Sequence, residues 1–319
     1  MLAMTLDKSL NFDWKEVPDP MRKPGEVLIG VQAAAVNRAD LMQKDGCYAS
    51  PADWPQWCGL EVAGTVLAAP DGSRFQPGAR VCALVGGGGY SKKIAVPEGM
   101  VIPVPDELTM IQAASIPEVW CTAYLNLQLE AGGLKAGDVF YVQAGASGVG
   151  LAAIQLAKLA GAKVITTVGS AEKAEFVKAL GADIVLNHRT DDVLQALTEN
   201  PPNVALDCVG GKLMGQCLQQ MAFGGRWIMI ASLGGSETLV NLETLWRKRL
   251  RLLGSTLRSR TTEEKSQIMG AIETKLLPLF AEGKLTTHIH AVFPIQEVTA
   301  AHAVLRRAGI IGKVVLTLP

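Results

Sequence analysis

The chain has 319 residues with 30 Lys+Arg against 30 Asp+Glu, so its formal net charge is zero and no global field draws it to nucleic acid or an anionic membrane. Hydrophobic residues make up 49% and charged residues 19%, which excludes a disordered chain, and the length predicts two domains. Six cysteines at 47, 58, 82, 121, 208 and 217 show no CxxC and no short repeated spacing, which argues against a zinc ribbon or a secreted disulfide framework and reads as reduced cytoplasmic thiols.

The N-terminus carries Asp7, Lys8 and Asp13 and lacks an apolar h-region, so no signal peptide is expected. The runs at 26–32, 59–67 and 80–85 have strand composition, and Pro51, Pro55, Pro77-Gly78 and the glycine run 86–89 punctuate them. They predict a β-rich unit over residues 1–115. From Pro117 the period changes to strand, helix, strand: strands at 138–143, 163–168, 184–186, 203–208 and 226–231, with helices at 151–161, 171–180 and 192–198 between the first four. The uncharged stretch 139–157 is long enough to span a membrane, but Gln143, Ser147, Gln155 and the glycines at 145, 148 and 150 argue against that. This alternation predicts an α/β fold, a Rossmann doubly wound parallel sheet, over residues 116–260. The tail is read as one helix at 263–282, an extended stretch at 291–294, a short helix at 298–307 and a strand at 313–318. That last strand is too far along the chain to extend the parallel sheet without a long crossover. Residues 261–319 are therefore assigned back to the β-rich unit, which makes that domain discontinuous.

Gly145-Ala146-Ser147-Gly148-Val149-Gly150 follows a strand and opens a helix, the context in which a glycine turn holds a dinucleotide. Without Cβ atoms the backbone approaches a pyrophosphate, and the free N–H groups of the helix start favour its charge. The order is G-x-x-G-x-G rather than G-x-G-x-x-G. A site for NADH wants an acid about 20 residues beyond the turn. Here the second strand runs into Gly169 and Ser170, with Lys173 in the next helix and His188 and Arg189 at the end of the third strand. A hydroxyl and cations suit a 2′-phosphate where a carboxylate repels it, so the pattern predicts NADPH.

These residues resemble the medium-chain dehydrogenase/reductase superfamily, and within it the zinc-free quinone oxidoreductases related to zeta-crystallin, most of all their stress-inducible branch with its short glycine turn. The motifs that carry the resemblance are Asn37-Arg38-Ala39-Asp40, Gly59-Leu60-Glu61-Val62-Ala63-Gly64, Pro117 to Ala123, the glycine turn with Ala152 to Ala157, Asp207-Cys208-Val209-Gly210-Gly211 and Ile311-Gly312-Lys313. The resemblance implies a chaperonin-10-like catalytic domain beside the Rossmann domain, a cleft between them and a homodimer, for which the apolar strand 250–257 offers an edge. Zinc members carry Gly-His-Glu where this chain has Gly59-Leu60-Glu61, and the histidines at 188, 288, 290 and 302 lack cysteine partners at ligand spacing, so no metal is expected.

By the same resemblance, Asn37 and Tyr48 line the nicotinamide end, where Tyr48 stacks or donates to an acceptor oxygen. Thr122 matches the residue that contacts the nicotinamide. Val209, Gly210, Leu233, Leu257, Arg258 and Lys313 are implied as further cofactor contacts, beside Gly145, Ser147, Gly148, Val149, Gly169, Ser170, Lys173 and His188. Asp40 reads equally as a helix cap and as an acid. The basic run from Trp246 to Arg251 reads as a solvated face or subunit edge rather than an RNA site, and the glycine run 86–89 as a flexible turn, not a phosphate loop. The function expected is NADPH-dependent reduction of quinones by hydride or single-electron transfer. The alternatives are reduction of 2-alkenals or enones, and a crystallin-like NADPH- or RNA-binding protein with little catalysis.

Overall fold

The computed structural model describes residues 1–307 and 309–319. The chain divides into two compact units, Met1–Cys121 with Arg258–Pro319, and Thr122–Leu257. These junctions differ from the sequence boundaries at 115/116 and 260/261. The first junction lies inside a helix that pattern alone does not split, and the second moves Arg258 into the β-rich unit.

In the β-rich unit, β1 (Leu2–Leu6) and β2 (Phe12–Glu16) form an antiparallel pair. β3 (Glu26–Val36) alternates in burial up to Gln32, as a strand with one covered face does, and is buried from Ala33 to its end. It leads through Asn37 into α1 (Arg38–Lys44). β4 (Glu61–Ala68), β5 (Arg80–Leu84), β6 (Lys93–Pro97) and β7 (Val101–Pro103) follow. α2 (Met110–Ala113) carries a capping box of Thr109 and Gln112, and α3 (Pro117–Tyr124) has proline at its first position, where no intrahelical N–H is needed. α3 runs on into a π-helical turn, Leu125–Glu130.

The second unit holds β8 (Val139–Val142), α4 (Gly148–Leu159), β9 (Lys163–Val168), α5 (Ala171–Ala179), β10 (Ile184–Asn187), α6 (Val193–Glu199), β11 (Val204–Asp207), α7 (Gly211–Gln219), β12 (Arg226–Met229), α8 (Leu242–Arg247) and β13 (Arg251–Gly254). Its six strands are parallel in the order β10-β9-β8-β11-β12-β13. Numbered within the unit this is 3-2-1-4-5-6, the doubly wound order, and the direction of winding reverses between β8 and β11, where such sheets bind ligands. Tyr141 and Trp227 anchor one face of the sheet with their rings 5.9 Å apart, packed with Leu197, Met214 and Leu218. Each fully buried side chain of this size contributes ~1.5–3 kcal/mol. The expected strand at 250–257 is shortened to β13 at the sheet edge.

The chain then returns to the β-rich unit with α9 (Thr262–Lys275), α10 (Leu277–Ala281), β14 (Ile289–Pro294), α11 (Val298–Arg306) and β15 (Lys313–Thr317). The single helix read at 263–282 is two helices. Pro278 stands in the first turn of α10 and has no N–H to continue α9, so the helix breaks at Leu276. β15 pairs antiparallel with Ala33–Val36 of β3, beside the stretch that β6 pairs. This register brings Lys313 next to Asn37. The glycine run 86–89 is buried rather than a flexible turn. A Cβ on Gly87 would lie 2.2 Å from Ser50 Oγ and 2.7 Å from Pro55 O, so the 50–57 loop packs directly on it. Among the described residues, no helix is long and apolar enough to cross a membrane.

Candidate functional site

The glycine turn follows β8 at the sheet's reversal point. Two of its glycines, Gly145 and Gly150, are required by contact. A Cβ on Gly145 would lie 2.0 Å from Thr166 Oγ1, and one on Gly150 2.6 Å from both the Ala144 and Gly145 carbonyl oxygens. Ala144 adopts φ 55°, a left-handed conformation that costs an alanine energy and that functional turns retain. Ser147 caps α4 by accepting from the Gly150 amide at 3.1 Å. The Gly148 and Val149 amides, first in the helix, have no acceptor among the described residues. Two N–H groups thus stand without an acceptor at the positive end of a twelve-residue helix, an arrangement that favours negative charge.

Ser170 caps α5 by accepting from the Lys173 amide, which fixes the start of that helix beside the end of β9. His188 folds back on the same edge, where its amide and Nδ1 both lie on the Val168 carbonyl, at 3.0 and 2.8 Å. A Cβ on Gly169 would meet the imidazole at 3.0 Å. Gly169, Ser170, Lys173 and His188 are thus held at the end of β9. The acids between them in sequence are Glu172 and Glu175 on α5 and Asp183, which pairs with Lys158 at 2.9 Å.

At the ends of β11 and β12, the buried Asp207 carboxylate accepts from the Val209 and Gly210 amides at 2.7 and 2.9 Å and from Trp227 Nε1 at 3.1 Å. Burial raises its pKa against these donors, which lower it. The turn it fixes is tied to the next one: Leu233 N–H donates to Cys208 O and Gly234 N–H to Val209 O. Beside them a cavity of about 360 Å³ opens between the ends of β12 and β13, lined by residues 229–232 and 254–256. Ser255 Oγ is buried there without a hydrogen-bond partner. Leu257 is buried just beyond, and Thr122 accepts from Asn126 Nδ2 at 2.7 Å through its carbonyl.

Asn37, Tyr48, Arg258 and Lys313 belong to the β-rich unit. Lys313 Nζ, buried, donates to Glu61 Oε1 at 2.7 Å, Asn37 Oδ1 at 2.6 Å and Val36 O at 3.2 Å, so each of its three N–H bonds has an acceptor. Asn37 Nδ2 returns to Glu61 Oε1 at 2.9 Å, and Glu61 Oε2 accepts from the Glu118 amide at 2.8 Å. Desolvation, then the Glu61 carboxylate, pushes the Glu118 carboxyl up to about 8. Asp40 accepts from the Asn37 and Gly59 amides, at 2.8 and 2.7 Å, with both oxygens. Of its two readings, the structure supports the cap. Its carboxyl is raised to about 6 by burial, which those amides oppose. Tyr48, half-buried, lies with its ring 4.8 Å from the Arg258 guanidinium. Its phenol is raised by desolvation and lowered by that charge.

Sequence reasoning missed Glu118, Ser255 and the Gln43–Ser50 pair, and it used Glu61 only as the remnant of a zinc motif. Glu61, inside Gly59-Leu60-Glu61, and Glu118, inside Pro117 to Ala123, lie in motifs the sequence singled out; Ser255 and the Gln43–Ser50 pair do not. The basic run is partly committed: Arg247 pairs with Glu243 at 2.8 Å and lies over Trp246, while Lys248 Nζ caps the Gln219 and Met221 carbonyls. Among the described residues, no group of three or more His, Cys, Asp or Glu side chains is placed to hold a metal ion.

Comparison with known proteins matches residues 23–106 to the alcohol dehydrogenase GroES-like domain and residues 148–273 to the zinc-binding dehydrogenase domain. The quinone oxidoreductase of Homo sapiens is 30% identical over 310 residues, covering 95% of this chain and 92% of that protein. A solved NAD-dependent alcohol dehydrogenase superposes with a TM-score of 0.87 at 28% identity, covering 100% of both chains. The CurK enoyl reductase superposes with a TM-score of 0.85 at 27% identity, covering 100% of this chain and 99% of that one.

Proposed function

Because the chain belongs to the quinone oxidoreductase family of the medium-chain dehydrogenase/reductase superfamily, we propose that this oxidoreductase uses NADPH to reduce quinones without a metal. The family acts through a nicotinamide cofactor, and the choice of NADPH rests on one observation. The end of β9 presents Ser170, Lys173 and His188 where an NADH site places a carboxylate. The Gly148 and Val149 amides suit the pyrophosphate, and the paired turns at Val209-Gly210 and Leu233 suit the nicotinamide half with the cavity and its orphan Ser255 hydroxyl. When bound, the nicotinamide supplies the hydride.

The residues of the β-rich unit hold the acceptor side. Lys313 and Glu61 fix the Asn37 amide in one orientation, so we read Lys313 as the holder of Asn37 rather than a cofactor ligand. Tyr48 keeps a hydroxyl without a partner among the described residues, free to donate to a quinone oxygen. The donor set does not suit zinc. Leu60 cannot ligate, Glu61 already faces an ammonium, and burial pushes the Cys58 and Cys82 thiols up, away from the thiolate that zinc needs. We also propose a homodimer through the edge strand β13, whose Arg251 and Leu252 are exposed. A monomer by sedimentation overturns that part.

Turnover of NADPH with para- and ortho-quinones, beside enals, tests the reading. Higher kcat/KM on quinones is expected. The second reading, reduction of an activated double bond, is favoured by the likeness to the enoyl reductase, and higher kcat/KM on enals selects it. NADPH binding with turnover of neither overturns both.

A further inference from the structure

We propose that Arg258 is a positioning residue that clamps the loop carrying Tyr48 and so presents the phenol to the acceptor. This rests on the acceptor-side role of Tyr48 given above. In sequence, Arg258 stands beside Leu257 and reads as a contact at the end of the last parallel strand, but its guanidinium is turned wholly into the β-rich unit. It is 6% exposed. Nε donates to Gly86 O at 3.0 Å, Nη1 to Tyr48 O at 2.9 Å, and Nη2 to Gln43 Oε1 at 2.7 Å and Ser50 Oγ at 2.9 Å. The four donations tie together three stretches of chain, α1, the loop carrying Tyr48 and the glycine run.

The backbone of Arg258 is fixed as well, since the buried Lys265 donates from Nζ to its carbonyl at 2.7 Å. The loop is therefore gripped by a planar fork held at both ends. Its own polar groups close the rest of the network: Gln43 Nε2 donates to Ser50 Oγ at 3.1 Å and to Gln56 O at 3.0 Å, and Trp57 Nε1 donates to Gly88 O at 3.0 Å. The loop between Asp45 and Gly59 forms no helix or strand, so nothing in its own backbone ladder sets the position of Tyr48. Arg258 sets it twice, through the carbonyl and through the face of the ring at 4.8 Å. A lysine has the charge but not the fork, and it cannot reach four acceptors that lie in the directions of a guanidinium plane. Directional donation, rather than charge, is what the loop needs.

The test compares wild type with Arg258→Lys, Ser50→Ala, Tyr48→Ala and the Arg258→Lys/Tyr48→Ala pair. Ser50→Ala removes a single acceptor and serves if the lysine variant fails to fold. Three quantities are read: amide hydrogen exchange of residues 46–57, the Kd for NADPH, and kcat and KM for a para-benzoquinone. Exchange should accelerate about tenfold in Arg258→Lys and about threefold in Ser50→Ala, with the NADPH Kd within about threefold of wild type. kcat/KM should fall about thirtyfold in Arg258→Lys, and the double variant should be no worse than Tyr48→Ala alone. Unchanged exchange in both variants overturns the clamp. So do losses that multiply in the double variant, because Arg258 then acts apart from Tyr48. A tenfold weaker NADPH Kd with unchanged exchange makes Arg258 a cofactor ligand instead. The exchange reading needs no turnover, so a wild-type protein inert toward quinones removes the proposed function and leaves the clamp to be decided on its own.

Discussion

The glycine turn after β8 and the polar cluster beside β3 and β15 are built from opposite materials. The turn is backbone: what it offers a ligand is its amides, and its side chains matter because they are absent or cap an N–H. The cluster is side chain: Asn37, Glu61 and Lys313 fix one another through hydrogen bonds among buried charges. A backbone site tolerates change in charge but none in volume. A buried ionic cluster has the reverse sensitivity, and substitutions separate the two.

The largest effect belongs to the cluster. Lys313→Met removes the partner of a fully buried Glu61, and stranding such a charge costs about 3–5 kcal/mol of stability, read by urea unfolding. Lys313→Arg should recover part of it. Equal stability of the methionine variant would mean that the pair is not a buried ionic unit.

Next comes a pH effect in the same unit. His302 Nε2 shares a hydrogen bond with Tyr90 Oη at 3.2 Å, and burial lowers its pKa from 6.5 to about 4. Between those values the unfolded chain binds the proton and the folded one does not, so stability falls as pH drops from 6.5 to 4. At about 1.4 kcal/mol per pKa unit the loss is on the order of 3 kcal/mol. His302→Gln should flatten that part of the unfolding profile. An unchanged slope would place the titration elsewhere.

The turn gives a prediction of the opposite kind. Gly150→Ala adds one methyl and no charge, yet it meets two backbone oxygens at 2.6 Å. The turn must shift, and the affinity for a nicotinamide nucleotide should drop about a hundredfold, which is about 2.7 kcal/mol. Wild-type affinity in this variant would mean that the amides of the turn do not hold the ligand.

How legible each region was follows from the range of its contacts. The parallel sheet and its glycine turn could be read because strand, turn and helix adjoin in sequence and each glycine lies within the motif. The cluster could not be assembled that way. Lys313 and Asn37 are 276 residues apart, and Arg258 and Tyr48 are 210 apart. The glycine run 86–89 read as flexible for the same reason, since the groups that demand glycine there, Ser50, Trp54 and Pro55, lie in another loop. The break before Pro278 was readable, because a proline inside a helical pattern ends it.

Titration of the wild-type protein with NADPH and with NADH tests the central claim most directly, because the two ligands differ only in the 2′-phosphate assigned to Ser170, Lys173 and His188. NADPH should bind tighter by tenfold or more, with the preference collapsing in Lys173→Glu. Equal affinity for the two nucleotides in the wild-type protein, or binding of neither, would contradict it.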